Sequence, residues 1–143
     1  MITPETFTML YKITLSAVLG LIIGAERESR DKPAGLRTHA LVAMGSTLFT
    51  LLSFVNLFEG LGYSFDPSRI AAQIVVGIGF LGGGMIFLKD NDARGLTTAA
   101  GIWVTAAIGM AIGFGAYTVA IYGTAFVFLI LWALRYLEDK IHK

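Results

Sequence analysis

Cysteine is absent from this 143-residue chain, which excludes disulfides, thiolate zinc sites and cysteine nucleophiles. Charge is scarce too: 15% of residues are Asp, Glu, Lys or Arg, against roughly 25% in a soluble domain, too few to coat a water-facing surface. The only two histidines, His39 and His142, lie far apart and make no metal site on their own, so the sequence names no set of metal ligands. No cleavable leader is expected. Residues 1–6 lack a basic stretch, and the apolar run after them reaches Ala25-Glu26-Arg27 without a small-residue cleavage pattern. That run reads as a retained helix.

Apolar residues make up 55% of the chain, and the mean hydropathy is +0.71. They gather in five stretches, residues 7–25, 40–58, 70–88, 96–112 and 117–134. Each has about the 17–20 residues a helix needs to cross the hydrocarbon core. Lipid offers no partner to open backbone groups, so spans of this kind must be helical. The expected fold is all-α: a polytopic bundle of five transmembrane helices forming one domain over residues 1–143. Lys12 is the only charged side chain within these stretches, and its stem is long enough to reach outward.

The connections differ in charge. Arg27, Arg30, Lys32 and Arg37 follow the first stretch, Lys89 and Arg94 follow the third, and Arg135, Lys140 and Lys143 follow the fifth. The other two connections carry only Arg69 between them. Basic and non-basic segments therefore alternate, as successive crossings require. The positive-inside bias puts all but Lys12 and Arg69 of the eleven basic residues in the cytoplasm. The N-terminus is then outside and the C-terminus cytoplasmic.

Glycine carries the motifs. Gly77-Ile78-Gly79-Phe80-Leu81-Gly82 has the letters of a dinucleotide fingerprint, but lies within an uncharged span without the strand and ribose-binding acid that the chemistry needs. Helix packing suits it better. Gly20 and Gly24, Gly79 and Gly83, and Gly109 and Gly113 are GxxxG pairs, with Gly82 and Gly84 beside the second. Small residues let helix backbones approach closely in lipid. The pairs fit packing within one chain, a homodimer interface, or local unwinding around residues 82–84 that opens carbonyls to a cavity.

Polar residues cluster at span ends. Asp66-Pro67-Ser68-Arg69 reads as an external helix start, with Asp66 as cap and Arg69 one turn on. Thr97 and Thr98 open the fourth span, where a cap or an anion-docking point is expected. Glu26 and Arg27 close the first span, Arg37 opens the second and Arg94 precedes the fourth. The topology brings Glu26, Arg27, Arg37, Arg94, Thr97 and Thr98 to one boundary, as a shared polar site or as separately solvated residues. A shared site requires Glu26 within reach of Arg37 or Arg94.

Leu19-Gly20, Ile23-Gly24-Ala25-Glu26-Arg27 and Lys32-Pro33-Ala34-Gly35-Leu36-Arg37-Thr38-His39 together resemble the MgtC/SapB membrane domain. Asp66-Pro67-Ser68-Arg69, the glycine run from Gly77 to Gly84, and Arg94-Gly95-Leu96-Thr97-Thr98-Ala99-Ala100 with Trp103 continue the likeness in order. Gly83 departs from the alanine usual in that family. Many members also continue into a soluble cytoplasmic domain, whereas this sequence ends at Lys143. The resemblance implies a multi-pass protein of the bacterial inner membrane, linked to growth in low magnesium and to survival in hosts.

Three functions follow as expectations. The first is a non-enzymatic regulator that binds other membrane proteins, with the lipid bilayer as its surroundings, no cofactor and no nucleic acid. The second is a small magnesium transporter or channel. No carboxylate lies deep in a span, which disfavours a dehydrated magnesium site, although Thr47, Thr50, Gln73, Thr105 and glycine carbonyls offer a polar path. The third, an intramembrane enzyme, would want a serine–histidine pair or paired aspartates at depth, and His39 is the only histidine near the membrane before the tail.

Overall fold

The computed structural model describes residues 3–54, 66–89 and 92–141. Five helices account for most of them: α1 (Pro4–Glu28), α2 (Leu36–Leu52), α3 (Pro67–Gly84), α4 (Leu96–Gly113) and α5 (Tyr117–Ile141). Between α3 and α4 lies one small antiparallel hairpin, β1 (Phe87–Lys89) and β2 (Asp92–Arg94), in register Phe87↔Arg94. Three helices have the length and apolar character to cross a membrane: α1, α4 and the 117–134 part of α5. α2 is shorter, at 17 residues. Arg69, Gln73 and the glycines lower the hydropathy of α3.

Several boundaries differ from the sequence expectation. The third span was placed at 70–88, but α3 starts at Pro67 and ends at Gly84, and Phe87–Lys89 pairs as a strand. A run of three glycines is a weak helix end, and the apolar residues after it fit a strand equally well. Among the described residues the fold is thus all-helical apart from this hairpin. Residues 82–84 remain helical rather than unwound. α2 starts four residues earlier than the span expected at 40–58, so Arg37 and His39 are on the helix. The far end of that expected span, and most of the connection after it, lie outside the described residues.

Local rules explain the helix starts. Thr3 caps α1 by accepting from the Thr6 amide at 3.2 Å, with Pro4 in the first turn. Asp66 caps α3, its Oδ1 accepting from the Ser68 amide at 2.9 Å. These Ser68 hydrogen bonds hold the Asp66 carboxyl below its ordinary range. α2 has Gly35 before it and no side chain of its own to cap it. Glu28 Oε2, from the end of α1, accepts from the Leu36 amide at 3.0 Å instead.

Glycine sets the packing. A methyl group at Gly20 would sit 2.5 Å from the His39 carbonyl oxygen, and one at Gly24 would sit 2.7 Å from Leu36 Cα, so α1 and α2 touch at backbone distance. Gly109 meets the Ala43 backbone and Gly113 meets the Thr50 side chain, which joins α4 to α2 in the same way. Leu19, Ile23, Ile108, Ile112 and Ala120 form an apolar core among α1, α4 and α5. α3 touches α4 through Gly82, where Ala99 is 3.5 Å from an added methyl. A methyl added at Gly79, Gly83 or Gly84 would meet nothing within 4 Å among the described residues.

Candidate functional site

Most of the buried polar residues fall into two groups. The first is a stripe between α2 and α4. His39, Ser46, Thr47 and Thr50 recur at helical spacing on one face of α2, and all are buried. Thr47 Oγ1 donates to the Gly109 carbonyl at 2.7 Å, Thr50 Oγ1 to Ser46 at 2.8 Å and Thr105 Oγ1 to Gly101 at 2.8 Å. His39 Nδ1 lies 2.8 Å from Thr105 Oγ1. A hydroxyl has one proton, and that of Thr105 goes to Gly101, so His39 Nδ1 is assigned as the N–H that donates to Thr105.

The second group lies at the end of the bundle where α1 finishes and α4 begins. Glu26 and Arg27 are in the last turn of α1, 6% and 5% exposed. Arg27 Nη2 donates to Thr98 Oγ1 at 3.0 Å, tying α1 to the first turn of α4. Glu26 Oε1 is 3.5 Å from Arg30 Nε, and its Oε2 is 3.9 Å from Arg27 Nη1. The ion-pair partners of Glu26 are thus one and four residues away on the same chain segment. Among the described residues, no ion pair joins Glu26 to Arg37 or Arg94.

A cavity of about 700 Å3 opens here. Glu26, Arg27, Arg94, Thr97 and Thr98 line it, so five of the six residues expected at this boundary share one space. Arg37 does not line it and is exposed on α2. Arg94 and Thr97 are also exposed, whereas Thr98 is buried. The cavity adds residues that sequence reasoning missed: Asp31 and Lys32 from the α1–α2 connection, and Ile130, Leu131 and Leu134 from α5. The packing of α5 against α1 and α4 brings that last wall into place, and no local motif signals it. Asp31 has the left-handed backbone (φ 53°) that aspartate tolerates better than most residues.

Of the residues named for a polar path, Thr47, Thr50 and Thr105 are buried with their hydroxyls bonded to helix carbonyls. Gln73 instead lines an apolar groove between α2 and α3 with Leu41, Phe49 and Ile74. At the other end of the bundle Lys12 donates to the Gly113 carbonyl at 2.8 Å, which caps the end of α4 with a cation. Asp66 is exposed and makes no ion pair with Arg69 among the described residues.

Long apolar helices, glycine-mediated contacts and polar side chains turned onto helix carbonyls define a helical membrane protein. Residues 13–140 match the MgtC family, and the chain belongs to that family. It is 48% identical over 139 residues to the Escherichia coli (strain K12) protein named "Putative magnesium transporter YhiD", covering 95% of this chain and 65% of the relative. It is 41% identical over 133 residues to "Uncharacterized protein slr0014" of Synechocystis, covering 93% and 55%. It is 40% identical over 137 residues to "Protein MgtC" of Salmonella typhimurium (strain LT2), covering 96% and 57%. The chain thus spans between about half and two thirds of the length of these relatives. No solved structure matches it.

Proposed function

We propose that the chain is a non-enzymatic regulator that acts on other membrane proteins of the bacterial inner membrane, with all five helices spanning it as one domain. The observation that carries this reading is the state of the deep polar groups. The Thr47, Thr50 and Thr105 hydroxyls each donate to a carbonyl of the bundle. Neither the end cavity nor the α2–α3 groove reaches Thr47, Thr50 or Thr105. A conduction path needs polar groups turned to a lumen, not to helix backbones. Membership of the family links the reading to low-magnesium adaptation and host survival. A homodimer through the open glycines of α3 is compatible with it.

A second reading, a magnesium transporter, is favoured by the name of the Escherichia coli relative. Reconstitution into liposomes separates the two. Purified chain should give no magnesium flux above empty vesicles, and Glu26→Gln should change nothing. Selective flux that Glu26→Gln abolishes would replace the regulator with the transporter.

A further inference from the structure

The end cavity has walls of opposite character. Glu26, Arg27, Arg94 and Thr98 are on the polar side, and Ile130 and Leu134 of α5 provide an apolar wall that stays 43% and 52% exposed. Glu26 is the telling member. Its side chain is 4% exposed and is flanked by Arg27 at 3.9 Å and Arg30 at 3.5 Å, yet Oε2 accepts no hydrogen bond among the described residues. A buried carboxylate oxygen without a donor is costly, so a donor from outside the chain suits this position. The start of α4 asks for the opposite charge. Gly95 gives its free amides no side-chain cap, and the helix dipole adds partial positive charge beside the Arg94 guanidinium.

A simple anion would answer Arg94, Lys32 and α4 but would leave Glu26 Oε2 without a donor. A simple cation would have the reverse problem. Both demands are met by a zwitterion whose ammonium and phosphate are two carbons apart and which carries an apolar tail. We propose that the cavity binds a glycerophospholipid with a phosphoethanolamine headgroup, its ammonium donating to Glu26, its phosphate held by Arg94 and the first turn of α4, and an acyl chain along Ile130 and Leu134. A phosphocholine headgroup has no N–H to donate, and a phosphoglycerol headgroup has no cation. The site goes beyond the regulator reading and does not depend on it.

Native mass spectrometry of the full chain in detergent tests it, with phosphatidylethanolamine, phosphatidylglycerol and phosphatidylcholine of identical acyl chains. The ethanolamine lipid should be retained several-fold over the choline lipid. Glu26→Gln should bring that ratio to one, and Arg94→Gln should lower the ethanolamine and glycerol adducts together. A further measurement does not depend on how Glu26→Gln folds. Thr97 is exposed at the cavity and the chain has no cysteine, so Thr97→Cys carries a single thiol. Its reaction with a bulky maleimide should expel the lipid, while the unlabelled variant keeps it. Equal retention of the choline and ethanolamine lipids, or a label at position 97 without effect, overturns the proposal. Displacement by soluble glycerophosphoethanolamine at concentrations matching the lipid would assign the site to a free headgroup compound and overturn the lipid.

Discussion

At the scale of single residues, the glycines separate by what stands opposite them. An added methyl at Gly20 would press on the His39 carbonyl oxygen at 2.5 Å and Ala40 Cα at 2.9 Å, both backbone atoms that cannot swing aside. Gly20→Ala should therefore destabilise the bundle by about 1–3 kcal/mol. Gly79 has open space in the chain, and a mid-helix Gly→Ala change gains up to about 1 kcal/mol of helix propensity. Gly79→Ala should leave the monomer unharmed or slightly more stable. Thermal unfolding in detergent compares the two, and equal melting of Gly20→Ala and the parent would sink the backbone-contact argument. Both glycines belong to GxxxG pairs of the same spacing. Spacing shows that a backbone can approach, but only the tertiary arrangement decides whether one does. The cavity was partly legible for the same reason. Glu26 and Thr98 stand at span ends and were visible in the sequence, whereas the α5 wall comes from residues no local pattern links to them.

At the scale of elements, the starts of α1 and α3 were legible because a cap and a proline act within a few residues. The start of α2 was not. Its cap is Glu28, eight positions before the Leu36 amide it accepts from, so recognising it requires knowing how the α1–α2 connection folds back. The end of α3 was misplaced because glycine, isoleucine and phenylalanine read alike for a weakening helix and a short strand. The Asp66 cap carries a pH dependence whose sign follows from its lowered pKa. A depressed folded-state pKa means the ionised form is favoured by the fold. Its contribution is complete above the ordinary value of 3.8 and is lost as pH falls below that value through the lowered one. Hydrogen exchange of the Ser68 and Arg69 amides should stay protected at neutral pH and lose protection only in that acid window. Asp66→Asn, which keeps the acceptor oxygen without the charge, should remove the pH dependence. Loss of protection near pH 6 in the parent would assign the helix start to another group.

At the scale of the whole molecule, the contacts fix the direction of each helix relative to the others. Arg27 at the end of α1 meets Thr98 at the start of α4, and Lys12 near the start of α1 meets Gly113 at the end of α4, so α1 and α4 are antiparallel. Gly24 of α1 faces Leu36 at the start of α2, while Gly113 faces Thr50 near the end of α2, so α2 runs with α4. Gly82 near the end of α3 meets Ala99 near the start of α4, so α3 opposes α4. Leu134 of α5 reaches the cavity at the start of α4, so α5 opposes it too. The helices thus alternate in direction from α1 to α5, the order that five crossings would give. Lys32 and Arg94 line the cavity at one end, and from the positive-inside bias we propose that this end faces the cytoplasm. Single cysteines at Thr3 and Thr118, both exposed at the opposite end, should react with a membrane-impermeant maleimide added to intact cells. Cysteines at Lys32 and Lys89, exposed near the cavity end, should react only after permeabilisation. A reversed pattern would turn the molecule over and overturn the charge argument while leaving the alternation intact. Labelling of all four positions from one side would mean that the helices do not span the bilayer in this order.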